Sequence, residues 1–183
     1  MSTSDLRFSI VVNTTDRAAS LRTLLLALDH QSYPHFEVVV VVGPTKDNTL
    51  AMLAEFDARV RVLRCARANL SMSRNIGLAA ACGDIVAFID DDAAPSRNWL
   101  LQLRRIFADP TVAGAGGSVY VVHPNQPVIQ HRLGVVSALA EQIDVRRSLL
   151  ADMPLTGDGR LWTLRMMGTN MAYRRAALLD IGG

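Results

Sequence analysis

Two cysteines, Cys65 and Cys82, are all the chain has, without CxxC spacing or a neighbouring histidine set, so neither a disulfide frame nor a zinc site is expected. Both read as reduced, mostly packed thiols. No stretch reaches roughly 18 uninterrupted apolar residues, which excludes a membrane-spanning helix, and MSTSDLRFSIVV lacks the basic leader of an export signal. The expected location is cytoplasmic. Lysine is scarce too: Lys46 is the only one, and the 19 basic residues face 17 acidic ones for a formal charge of +2. Such a balance forces no broad basic face, and nucleic acid is not the partner to expect. There is no GxxxxGK(S/T) phosphate loop and no nucleophile elbow, so ATPase and hydrolase chemistry lose their main support.

What is present is a chain of 183 residues, half of them hydrophobic, enough for one domain with a sizeable core. Phe8 to Val12 reads as a strand, and Leu21, Leu24, Leu25 and Leu28 at one-face spacing predict a helix behind it. Thr14, Thr15 and Asp16 are candidates to cap that helix. FEVVVVV, from Phe36 to Val42, has no polar alternation, as in a parallel strand covered on both faces. Gly43-Pro44 ends it, and Asp47 or Asn48 can cap a helix that turns Leu50, Leu53 and Phe56 inward. A third strand is expected over Arg61 to Leu63. Ser71 then caps a helix carrying Met72, Ile76 and Ala79 or Ala80; Gly83 ends it before a strand from Ile85 to Ile89. Ser96 caps a fourth helix with Trp99, Leu100, Leu103 and Phe107 on one side, and Val112 to Val122 reads as extended, its Gly114-Ala115-Gly116-Gly117 allowing close backbone approach. Four βα repeats predict an α/β fold with a doubly wound, mainly parallel sheet. Beyond about Pro124 the alternation fades: Val128 to Leu150 reads as a helix of mixed polarity and Asp152 to Arg160 as a loop. Arg132, Arg146 and Arg147 beside apolar positions allow that helix peripheral contact with a membrane, although ordinary packing is the simpler reading.

Ligands of open parallel sheets bind past the carboxyl ends of the strands. The polar stretches Asn13 to Arg17, Thr45 to Asn48, Arg64 to Arg74 and Asp90-Asp91-Asp92 all fall in such loops. On an extended chain Asp90 and Asp92 project to one side, where they would repel unless a cation neutralises them. Mg²⁺ or Mn²⁺ suits an all-oxygen set with positions left open for phosphates. The alternative for each stretch is plain structure: the acids as a solvated loop, and Arg74 and Asn75 as the wet side of their helix.

SIVVNTTDR, FEVVVVVGPTKDNT, NLSMSRNIGLAAACGDIVAFIDDDAAP and MGTNMAYRRAALLDIGG together resemble the inverting family-2 glycosyltransferases of the GT-A, Rossmann-like fold. The resemblance implies a single nucleotide-sugar-binding domain over 1–183, with 1–123 the nucleotide-binding half and 124–183 the start of the acceptor-binding half. It implies that Asp90-Asp91-Asp92 holds the DxD position, with Asp90 and Asp92 toward a Mn²⁺ or Mg²⁺ and Asp90 and Asp91 toward the donor. Thr14, Asp16, Arg17, Asp47 and Arg74 would border the nucleotide, and Gly168, Thr169 and Asn170 the transferred sugar and acceptor. The donor would be a nucleoside-diphosphate sugar, with a UDP-sugar favoured, and the acceptor a carbohydrate or a lipid-linked hydroxyl.

Three departures stand out. Asn13 and Thr15 replace the family's usual Pro and Tyr, and Val42-Gly43 replaces an acidic pair at the end of the second strand. The family's general base lies downstream of the GGF segment, so it is expected beyond Gly183, in a longer chain. Two rivals follow: a nucleotide-sugar-binding module lacking the base, and a nucleotidyltransferase on a similar sheet, which would want glycines that NTTDRAAS lacks.

Overall fold

The computed structural model describes residues 6–56, 60–117, 119–123, 126–130, 133–136, 142–145 and 168–182. Chain contacts divide into two units, Met1–Ala115 with Met171–Gly183, and Gly116–Asn170.

In the first unit β1 (Phe8–Thr14), α1 (Ala18–Asp29), β2 (Phe36–Val42), α2 (Thr49–Leu53), β3 (Val60–Arg64), α3 (Leu70–Ala80), β4 (Ile85–Asp90) and α4 (Trp99–Phe107) follow one another as the periodicity predicts. β5 (Gly114–Gly116), β10 (Asn170–Arg174) and α5 (Arg175–Asp180) complete the order of elements around the sheet. Its strand order is β3-β2-β1-β4-β10-β5, and β1 pairs in parallel with both β2 and β4. The chain therefore winds outward through β2 and β3, then crosses back to the far side of β1. That reversal opens a crevice between the carboxyl ends of β1 and β4.

The hydrophobic pattern explains the layers. Val38, Val40 and Val42 join the α1, α2 and α4 side chains on one face, whereas Val39 and Val41 join Val11, Val86, Phe88 and Leu78 of α3 on the other. β2 is covered on both sides, which is why it contains no polar alternation. α1 buries Leu21, Leu24, Leu25 and Leu28 as expected, each worth about 1.5–3 kcal/mol against full exposure. α4 likewise buries Trp99, Leu100, Leu103 and Phe107. Its last carbonyls are covered from a distance: Arg174 donates to the carbonyls of Phe107, Asp109 and Val112 and lies 5.5 Å from the Phe107 ring centre.

Several local expectations are corrected. α3 begins two residues sooner than a Ser71 cap would allow, because Asn69 accepts the Met72 amide with its side chain. Ile76 and Ala80 pack against the core as expected, but Met72 is exposed and the fully buried positions are Ser73, Gly77 and Leu78, since Gly77 lets the helix sit against Val11 where a larger residue would collide with that side chain. α4 has Asn98 at its cap position with no side-chain capping bond, and Ser96 offers the Trp99 amide its backbone carbonyl instead of its hydroxyl. The predicted Val128 to Leu150 helix is overturned where the chain is described: β7 (Gln126–Gln130) pairs antiparallel with β6 (Val119–His123), and β8 (Leu133–Val136) with β9 (Gln142–Val145). The Val and Ile in each of these pieces are β-branched and suit strands better than a helix. The Asp152 to Arg160 loop lies outside the described residues. Cys65 is buried as expected, whereas Cys82 is exposed.

The end of the sheet opposite the crevice holds a buried Glu37. Burial alone would raise its pKa, but the Ser9 hydroxyl, the Cys82 amide and nearby Arg61 bring it below the ordinary carboxylate value. These bonds fasten the α3–β4 turn to β1 and β2.

Candidate active site

At the β1/β4 crevice lies a cavity of about 430 Å³ lined by Asn13, Thr14, Thr15, Arg17, Gly43, residues 67–70, Ser73 and the three aspartates 90–92. Four strand-end loops contribute to it, but the second does so through Gly43 alone: the predicted stretch Thr45 to Asn48, with Asp47, does not line the cavity, and neither does Asp16. Arg67, Asn69 and Ser73 fall within a stretch already marked as polar but were not singled out; the signal for Asn69 is its helix-start position, and Asn13 reaches Ser73 by a side-chain hydrogen bond.

The three aspartates do not share an environment. Asp90 is the last residue of β4, and the chain turns at Asp91 and Asp92. The alternation that would put Asp90 and Asp92 on one side therefore stops at Asp90, and the pair brought onto a common cation is Asp91 and Asp92. Arg17 Nη1 lies 3.3 Å from Asp91 Oδ1 and 2.6 Å from Asp92 Oδ2. Asp91 is buried, and desolvation pushes its carboxyl up, opposed by Arg17 and by Thr14. The Thr14 hydroxyl is buried near that carboxylate without making a hydrogen bond of good geometry. Asp92 is more than half exposed. Arg17 in turn is held more firmly protonated, first by its hydrogen bond to Asp92 and then by the Asp91 charge.

Asp16 and Asp47 do something the sequence did not reveal. Asp16 adopts φ 53°, a left-handed conformation that aspartate tolerates better than most residues. From there its Oδ1 accepts the Thr45 hydroxyl at 2.8 Å and the amides of Lys46 and Asp47. Asp47 accepts the Ala18 amide at 3.0 Å and the Thr49 amide at 2.9 Å, together with the Thr49 hydroxyl. The first turn of α1 is thus capped by a residue from the next loop, and not by Thr14, Thr15 or Asp16. Both carboxyls are held below the ordinary value of 3.8, Asp16 first by the Lys46 amide and Asp47 first by the Thr49 hydroxyl. These two acids tie the first two strand-end loops into one rim.

A test follows. Asp16→Ala should lower the melting temperature by more than Asp16→Asn, because asparagine keeps one acceptor and the left-handed preference. A depressed carboxyl stabilises the fold above its unfolded pKa. The gap between wild type and Asp16→Asn should therefore persist at neutral pH, begin to close as pH falls through 3.8, and vanish below the still lower folded value. Thermal melts across that range measure it.

Arg74 does not line the cavity. Its guanidinium lies 6.0 Å from the Phe88 ring centre and faces Tyr173, whose pKa burial raises above the ordinary value despite the opposing Arg74 charge. Gly168 and Thr169 form the turn into β10, and Asn170 opens that strand, close enough to Gly117 that a Cβ there would lie 2.6 Å from Asn170 Nδ2. What approaches Gly117 closely is therefore a side chain, and not the backbone expected beside the glycine-rich segment.

Among the described residues no group of three or more His, Cys, Asp or Glu encloses a metal position. The acidic turn has a different character, one exposed carboxylate beside a buried one, which fits a Mg²⁺- or Mn²⁺-type ion completed by phosphate oxygens and water. No helix of the described residues is long and apolar enough to cross a membrane.

Known proteins resemble this chain in sequence and in fold. The chain is 28% identical over 130 residues to Glycosyltransferase AglE of Haloferax volcanii, covering 67% of this chain and 43% of that protein. It is 47% identical over 112 residues to the pre-mycofactocin glycosyltransferase of Mycobacterium tuberculosis, covering 61% of this chain and 22% of that protein. Its fold matches a mannosyltransferase from Pyrobaculum calidifontis solved in complex with GDP-Man and Mn²⁺, with a TM-score of 0.73 and 24% identity over 99% of this chain and 48% of that one. The chain spans less than half the length of each of these proteins. A family model described as "Glycosyl transferase family 2" matches residues 9–182. With a mainly parallel six-stranded sheet of GT-A type and an acidic turn at its switch point, this chain belongs to glycosyl transferase family 2.

Proposed function

We propose that the cavity between β1 and β4 binds a nucleoside-diphosphate sugar and that the protein transfers the sugar to an acceptor hydroxyl with inversion. The observation that carries this reading is the convergence of Arg17, Asp91 and Asp92 at the switch point, with four loops enclosing the space beside them. A cation and carboxylates in a half-buried crevice are what a charged leaving group needs. Asp92 would hold Mn²⁺ or Mg²⁺, with Asp90 as the second ligand only if the turn after β4 brings it round, since strand alternation no longer pairs the two; the ion when bound would neutralise charge on the departing diphosphate. Thr14 and Asp91 would face the donor, Asp16 and Asp47 would hold its rim, and Arg74 would be a further cation on this edge.

Gly43 refines the base pocket. A Cβ there would meet the Thr15 hydroxyl, so a larger residue at that strand end would require the Thr15 side chain to turn aside. A UDP-sugar remains the favoured donor, and GDP is the comparison to run. The acceptor, a carbohydrate or a lipid-linked hydroxyl, would be met by Gly168, Thr169 and Asn170 in the half that starts at residue 124. The general base is expected beyond Gly183.

Titrating UDP and GDP into the protein by calorimetry, with Mn²⁺ and then with EDTA, is the direct experiment. Binding of at least one nucleotide that strengthens with Mn²⁺ is the expected result. No metal-dependent binding of either would end the donor-site reading and favour the nucleotidyltransferase or a purely structural acidic loop.

A further inference from the structure

Two constraints bring Arg17 to its place. Asp16 immediately before it is locked to the 45–47 turn, and the Arg17 carbonyl accepts the Leu21 amide at the start of α1. The backbone is therefore fixed. The guanidinium is not: about half of the side chain is exposed, and one nitrogen, Nη1, makes both contacts with the carboxylates. Such an arrangement leaves the charged end able to swing while its root stays still.

Competition for Asp92 follows. Its Oδ2 already accepts a guanidinium N–H at 2.6 Å, and a divalent ion on the same carboxylate would bring two cations into close contact. A diphosphate changes the balance, because its oxygens can engage the arginine fork bidentately, a stronger arrangement than a single nitrogen shared between two acids. Asp91 also has an interest in the outcome, since a buried carboxylate stays charged only with a cation beside it.

We propose that Arg17 is the resident counter-cation of the acidic turn: it keeps Asp91 and Asp92 aligned, competes with a divalent ion for Asp92, and yields when a diphosphate draws its guanidinium away. The inference rests on the donor-site reading and adds a coupling to it, in which arginine makes the divalent ion a poor ligand alone and a good one together with nucleotide. Arg17 acts here as a positioning residue, and its role is visible in metal binding without any turnover.

The test uses Mn²⁺ alone, followed by the electron paramagnetic resonance signal of the free ion, on wild type, Arg17→Gln and Arg17→Lys, and then UDP and GDP with Mn²⁺ present. Arg17→Gln should bind Mn²⁺ alone about tenfold more tightly, within the usual range of site-to-site couplings, and bind nucleotide plus Mn²⁺ less tightly than wild type. Arg17→Lys keeps the charge and should stay near wild type for Mn²⁺ alone. Equal or weaker affinity for Mn²⁺ alone in Arg17→Gln overturns the counter-cation role, even if wild type binds Mn²⁺ with nucleotide normally. Should wild type bind neither nucleotide with Mn²⁺, the donor-site reading fails and the handover to phosphate with it.

Discussion

Asp92→Asn should abolish the gain in nucleoside diphosphate affinity that Mn²⁺ confers, while affinity in EDTA does not fall. Asparagine preserves the shape of the side chain and removes the charge that a hard divalent ion requires. Because Asp92 is more than half exposed, the substitution disturbs little packing, and Arg17 keeps its second contact with buried Asp91. The expected loss is about 100-fold in metal-dependent affinity, toward the upper end of what one coupling contributes. Paired calorimetric titrations of wild type and variant, with Mn²⁺ and with EDTA, measure it. If the Mn²⁺ gain survives unchanged, Asp92 is not a metal ligand and Asp90 becomes the candidate.

The largest effect on stability should come from Gly83→Ala. A Cβ at this position would lie 2.7 Å from the Arg7 carbonyl oxygen, the Phe8 carbonyl carbon and the Ser9 nitrogen, all of them backbone. Backbone cannot retreat as a side chain can, and this piece of β1 is paired on both sides, with β2 and with β4. The glycine is held in place as well, since its amide donates to the Ser9 hydroxyl at 2.8 Å while the Cys82 amide donates to Glu37. We expect a cost of about 3 kcal/mol, and with it a fall in melting temperature of roughly 6–12 °C for a chain of this size. Gly77→Ala is the informative contrast: its Cβ would meet the Val11 side chain, which can be shortened, so Val11→Ala should recover part of that loss in a double-mutant cycle. An unperturbed melt for Gly83→Ala would contradict the close approach of turn and strand.

What could be read from the residues was whatever depends on local period. β2 announces itself because five consecutive valines have nowhere to go but a strand covered on both faces, and α1 because its leucines recur at helical spacing. The four polar loops were legible for the same reason: once the strands are placed, their carboxyl ends follow. What stayed hidden is contact across long sequence separations. Nothing near Ala18 says that its amide is met by Asp47, and nothing near Phe107 says that Arg174 will cover the end of its helix. The extended reading of Asp90 to Asp92 failed at the last step because alternation holds only while the chain remains a strand, and β4 ends at Asp90. Beyond residue 124 the signal is weak because short antiparallel pieces carry too few alternations to outvote a mixed-polarity helix.

β5 and β10 are neighbours in the sheet, and the second unit leaves the chain after one and returns at the start of the other. Its two ends are thereby pinned about 5 Å apart, the spacing of adjacent strands, whatever its length or sequence. Closing a longer excursion between fixed posts costs little, since the entropy grows only with the logarithm of its length. The sheet thus works as a socket into which segments of different size can be fitted without rebuilding the crevice that holds the aspartates. Replacing Gly116–Asn170 by a segment of another length would thus leave the strand ends that flank it where they are.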